Sequence, residues 1–396
     1  MGVLERVENF NPDVPKAAFR LKGFIWSMWF ILDYAFSLSK QKKEDGTLYK
    51  RHESSRLSGK VLRFLHKSLV NQLVKNAIVT FDGTMPLPSI DGKYIDREFF
   101  NHWGRKINMP LVLKGYIKGE EVMDVTTVES LIEVHGQKEV KFVDRNFGKK
   151  KNNRVGQNVE LLTSTLEEYL TKEEYRDCYI NNFYGILDDD DYLERSRGKD
   201  IDEFRNQISS ISQWFISRRK NSGSTLHCAL GDNMFLNIHG KKEWLFIDPT
   251  YLPVFKPALA KYGTYTVSEL EEELNMDADT YEELVKDFPY LKHIPFYRYE
   301  LEPGDVLYNP SAWLHTVRNH TDYTVGCAVR YNVMQWDNNS ITLSICGLLI
   351  AALKNPTKSF LAQFIKTTSG DVKAKKEAID TIFSKNEKKT KEKVST

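Results

Sequence analysis

The chain has 396 residues, 41% of them hydrophobic, and a formal net charge of +2. That length allows one large domain with additions, or two domains, and the apolar fraction is enough for a sizeable core. The near balance of charge argues against a general nucleic-acid binder. The four cysteines, Cys178, Cys228, Cys327 and Cys346, form no CxxC pair, suggest neither a zinc cluster nor a disulfide framework, and fit a reducing, cytoplasmic setting.

The first residues, MGVLERVENFNPDVPK, lack the basic start and apolar run of a signal peptide. The stretch GFIWSMWFILDYAFSLS, residues 23–39, is apolar and aromatic, but it is short for a membrane span and contains Asp33. It is expected to be a buried or interfacial helix, which leaves peripheral membrane contact open. After a charged connector, Val61, Leu62, Phe64, Leu65, Leu69, Leu73 and Val74 recur at helical spacing. A Pro/Gly-marked loop, DGTMPLPSIDGK, closes a helical region expected to span residues 1–94.

From residue 95 the texture changes. REFFNHWGRKINMPLVLKGY predicts a short helix and a strand, VESLIEVHGQKEVKFVD another such pair, and LTSTLEEYLTKEEYRDCYINNF a helix leading into a strand. The basic stretch RNFGKKKNNRVGQN and the acidic run LDDDDYLERS read as solvated loops. Residues 214–334 alternate short strands rich in aromatic and β-branched residues with turns, and a helical insertion is expected at about 265–288. This pattern predicts a mainly β fold with helical additions, a double-sheet jelly roll over residues 95–336. Apolar helices at 337–372 and a charged tail at 373–396 complete the chain.

Two histidines sit in strong contexts. His227 opens STLHCALGDNMFLNIHGKKEWLFIDP, and His315 follows LEPGDVLYNPSAW, where EPGD makes a tight turn and VLYNP a strand. Two histidines on facing barrel strands can converge on one metal, each supplying a neutral imidazole nitrogen suited to iron, zinc or copper.

These two motifs, with FFNHWGRKINMPLVLKGY upstream, resemble the cupin-like JmjC superfamily of iron(II)- and 2-oxoglutarate-dependent oxygenases, particularly its asparaginyl-hydroxylase branch. The resemblance covers about residues 95–335. It implies a double-stranded β-helix with Fe(II) and 2-oxoglutarate as metal and co-substrate. It makes His227 and His315 the metal ligands and places Lys242, Ser224, Asn233, Tyr179 and Arg330 around the co-substrate. By resemblance, the C-terminal helices imply a homodimer.

The departure from the family is Ala229, which stands where the second residue of a His-x-Asp pair would supply a carboxylate. Cys228 should face the other side of the strand, and Asp232, three residues on, is the nearest carboxylate that could swing in. Three readings follow. In the first, Ala229 marks an open halide position and the protein is a radical halogenase using chloride. In the second, it is a hydroxylase with an atypical metal site. In the third, the barrel is an inactive binding or scaffold module. The substrate is left open between a small or lipid-like molecule and a protein, and no nucleic acid is expected.

Overall fold

The computed structural model describes residues 3–44, 48–144, 161–183, 192, 195–205, 211–229, 231–259, 265–270 and 279–331. The expected C-terminal helices, the tail, and the basic loop lie outside the described residues, as does most of the acidic run.

Before the barrel come helices α1 (Arg20–Phe36) and α2 (Leu57–Asn76), then strands β1 (Met85–Pro86) and β2 (Ser89–Asp91). Both strands fall inside the stretch expected to be loop. Helix α3 (Arg97–His102) leads to β3 (Leu111–Lys114), α4 (Glu121–Val125), α5 (Val128–His135) and β4 (Glu139–Asp144). Next are β5 (Leu161–Thr165), α6 (Leu166–Thr171), β6 (Cys178–Phe183) and α7 (Gly198–Arg205). The core strands follow: β7 (Ile211–Ser217), β8 (Gly223–Ala229), β9 (Asp232–His239) and β10 (Lys242–Ile247). The region expected as a helical insertion begins as strand, with β11 (Pro257–Leu259) before it and β12 (Tyr265–Ser268) at its start; only α8 (Thr280–Asp287) is helical among its described residues. The chain returns through β13 (Phe296–Leu301), β14 (Val306–Asn309), β15 (Leu314–Asn319) and β16 (Thr324–Tyr331).

From β7 to β10, and again from β13 to β16, successive strands alternate between two sheets. One sheet has the central order β14-β9-β16-β7, and the other β13-β10-β15-β8. This is the jelly roll expected from the strand pattern, and it needs turns tight enough to reverse the chain between sheets. Gly304, in EPGD, supplies one with φ +96°, and a Cβ there would lie 2.9 Å from Lys118.

The smaller sheet is covered on both faces, and period-2 alternation along its strands assigns each side chain. On β10, Lys242, Trp244 and Phe246 face the barrel interior, while Leu245 and Ile247 join Leu226 and Cys228 of β8 in a cluster on the outer face. Helices α1 and α2 cover that cluster with Trp26, Phe30, Leu69 and Leu73. Burying each large apolar side chain contributes about 2–3 kcal/mol, which is why the helices stay on the sheet that carries the histidines. Asp33 does not interrupt α1: it is fully buried and accepts from Ser39 (N, 2.8 Å; Oγ, 2.7 Å), Ser58 Oγ (2.6 Å) and Arg51. Burial raises its pKa, but the Ser58 bond, the Arg51 charge and the remaining donors outweigh this and hold the carboxyl below its usual range.

Candidate functional site

His227 and His315 are direct cross-strand partners on β8 and β15, and their ring centroids are 4.3 Å apart. His227 Nδ1 lies 2.7 Å from the Thr225 carbonyl and His315 Nδ1 lies 2.9 Å from the Trp313 carbonyl. A carbonyl can only accept, so each Nδ1 carries the hydrogen and each Nε2 carries the lone pair that could ligate a metal. Burial pulls the His227 imidazole down to about 4; the Thr225 carbonyl opposes this and the charge of Arg330 adds to it. Burial, His227 and Arg330 likewise hold His315 well below its usual value, against the Trp313 carbonyl. Both rings are therefore neutral, as metal binding requires.

The third ligand position has no carboxylate. Ala229 ends β8 two residues from His227, on the same face of the strand. Its carbonyl accepts from Ala312 N–H at 2.8 Å, which clamps β8 to the turn before His315. Asp232 does not replace the missing ligand. It is fully buried, and its two oxygens accept from Tyr308 Oη (2.9 Å) and Ser311 N–H (3.0 Å). It holds the turn that presents His315, and with both oxygens so engaged its part is to position that turn. Cys228 points to the outer face as expected, buried against α1 and α2, and burial pushes its thiol up to about 12. No group of three or more His, Cys, Asp or Glu able to hold a metal occurs among the described residues. Among the described residues the candidate ligands are therefore the two imidazoles alone.

Lys242 lies at the other end of the barrel interior. Its side chain is fully buried, with Nζ donating to Asn319 Oδ1 (2.6 Å) and Thr324 Oγ1 (3.0 Å). Both partners are neutral, and burial alone pulls the ammonium down to about 7. The polar layer continues through Asn319 Nδ2 to Ser222 Oγ (2.6 Å) and on to Ser217 Oγ (2.7 Å), the cross-strand neighbour of Tyr179. Between this layer and the histidines lies an aromatic one: Trp244 stacks on Phe246 at 5.6 Å, meets Phe235 edge-on at 5.0 Å, and sits 5.3 Å from the His315 ring.

The remaining expected residues line the same interior. Asn233 pairs across the sheet with Arg330 and with Asn309, whose Nδ2 is 3.5 Å from His315 Nδ1. Arg330 donates from Nε to Gln213 Oε1 at 2.6 Å. Ser224 lies opposite Val317, just before a β-bulge in β8. Sequence reasoning missed Thr225, Trp244, Asn309, Asn319 and Thr324. Ser224 Oγ, Thr225 Oγ1, Asn233 Oδ1, Asn309 Oδ1 and Trp244 Nε1 are buried with no hydrogen-bond partner among the described residues. Five such groups around one interior are costly unless a polar ligand satisfies them.

Residues 96–338 match the family described as cupin-like domain. Among curated proteins, tRNA wybutosine-synthesizing protein 5 of Mus musculus is 27% identical over 263 residues, covering 59% of this chain and 74% of that protein. The Homo sapiens protein of that name matches to the same extent. The Gallus gallus protein is 26% identical over 261 residues, covering 58% of this chain and 72% of its own length.

Proposed function

The chain belongs to the cupin-like domain family, and from that premise we propose that it is an oxidoreductase using Fe(II) and 2-oxoglutarate. The observation that carries this reading is Lys242, a fully buried cation with only neutral partners, at the opposite end of the interior from two neutral histidines. A dicarboxylic keto acid suits that arrangement. Its far carboxylate would meet the Lys242 ammonium, and the unpartnered hydroxyls of Ser224 and Thr225 and the Asn233 amide would take its remaining acceptors and donors. His227 and His315 would hold the metal, which, when bound, supplies oxidation of an organic substrate coupled to decarboxylation of the keto acid.

The chain's own residues set the charge of this centre. The family's carboxylate is replaced by Ala229, and the positive Arg330 is close enough to depress both histidines. Removing a negative charge and adding a positive one disfavours a bare metal ion and favours anions beside it. The keto acid is one such anion. In the finer reading a chloride occupies the space beside Ala229, which makes halogenation the outcome. Hydroxylation is the second reading, and relatives named as tRNA wybutosine-synthesizing proteins are consistent with it.

Anaerobic loading with Fe(II) and 2-oxoglutarate, followed by oxygen and measurement of succinate, tests these readings. Succinate formation that needs chloride supports the halide site, and formation indifferent to chloride supports hydroxylation. If 2-oxoglutarate does not bind, the barrel is a scaffold.

A further inference from the structure

The outer face of α1 has no role in the barrel. Its inner face packs Phe19, Trp26 and Phe30 onto the sheet, whereas Leu21, Phe24, Ile25, Met28, Leu32 and Phe36 point away from it. At 100° per residue these six positions share an arc of about 120° running the length of the helix. Phe24 is 63% exposed and Phe36 70%, and Leu57 and Phe64 of the neighbouring α2 are exposed as well. A continuous apolar stripe of this length marks an interaction surface. No helix among the described residues is long and apolar enough to cross a membrane, so the stripe is suited to lying on one.

The charge around it selects the partner. Residues 16–76 carry thirteen Lys and Arg against four Asp and Glu, in a chain of net charge +2. Lys22, Lys60, Arg63 and Lys67 are exposed on the two helices. Arg63 and Lys67 also line a cleft with His52, His66 and Lys256, in which Glu53 is the acid among the lining residues. His52 is 4% exposed, its Nδ1 is 3.1 Å from Glu269 Oε2, and its Nε2 is buried without a partner. A second copy of this face would set cations against cations. The apolar segment 340–368 carries three lysines and no Asp or Glu, so it offers no charge complement either.

We propose that the α1–α2 face docks the protein on an anionic lipid surface. The outer stripe of α1 lies among the acyl chains, and the cleft beside α2 receives a lipid phosphate between Arg63, Lys67 and Lys256. The segment is thereby two-sided: its inner face braces the strands that carry His227, and its outer face sets the barrel against lipid.

The test is flotation of the full chain with phosphatidylcholine vesicles, with and without phosphatidylserine, alongside gel filtration and a tRNA competition arm. The expected result is a monomer that binds the anionic vesicles, with binding weakened by salt. Replacing exposed apolar groups, Phe24→Glu with Phe36→Glu, should lower partitioning by about tenfold or more without lowering the melting temperature. Lys60→Glu with Lys67→Glu should weaken binding to the anionic vesicles only. Failure of the wild-type chain to float would overturn the proposal, as would flotation unaffected by the Phe24 and Phe36 changes. A wild-type dimer dissolved by Phe24→Glu, or tRNA binding through this face in place of vesicle binding, would assign the surface to another partner.

Discussion

Replacing Lys242 with Met should make the ligand-free protein more stable while removing its capacity for 2-oxoglutarate. Lys242 loses its proton near pH 7 in the folded protein, against 10.5 when solvated. A folded-state pKa lowered in this way is a folding cost that is full below pH 7 and is relieved as pH rises toward 10.5. The difference corresponds to about 5 kcal/mol. The Lys242→Met variant removes that cost at similar volume but leaves Asn319 Oδ1 and Thr324 Oγ1 without their donor, a loss of about 2–3 kcal/mol in all. The net expectation at neutral pH is a gain of about 2–3 kcal/mol in a denaturant titration. Between pH 7 and 10 the wild type should gain stability relative to the variant, and the difference between the two curves cancels the other titrating groups. Calorimetry should show 2-oxoglutarate binding in the wild type and none in the variant. A destabilised variant that still binds 2-oxoglutarate would refute the reasoning, because it would make Lys242 a structural hydrogen-bond donor.

Ala229→Asp should restore a third ligand and raise Fe(II) or Co(II) affinity by about tenfold or more. Under the halide reading it should also abolish any dependence of succinate formation on chloride, and unchanged chloride dependence would count against that reading. Asp232→Asn should cost about 1–3 kcal/mol in a denaturant titration, because its bonds from Tyr308 and Ser311 lose the carboxylate charge. If Asp232 only positions the His315 turn, Co(II) binding should weaken without vanishing.

Much of the site was legible because strand periodicity is strict. His315, Val317 and Asn319 share a face, as do Lys242, Trp244 and Phe246, so Asn319, one of the two partners of Lys242, could have been found by counting in twos from His315. Ser224 could not, because the β-bulge in β8 puts it three residues, not two or four, from His227 while still opposite Val317. The role of Asp232 was left open for a different reason. Its proximity to His227 in sequence says nothing of Tyr308 and Ser311, whose donors engage it from more than seventy residues away. The start of the insertion, YTVS, was read as helix from the acidic residues that follow it, whereas its pairing with β8 makes it strand. The helical N-terminal region was readable from spacing alone, but which face of α1 would be buried depended on the sheet beneath it.

The central claim is that two histidines beside Ala229 and Arg330 form a metal centre completed by an anionic co-substrate. The most direct test is to titrate Co(II) or Fe(II) anaerobically into the protein with and without 2-oxoglutarate, and 2-oxoglutarate with and without metal. The account predicts reciprocal coupling, each ligand tightening the other by about tenfold or more. Metal affinity indifferent to 2-oxoglutarate, or no metal binding in its presence, would contradict it.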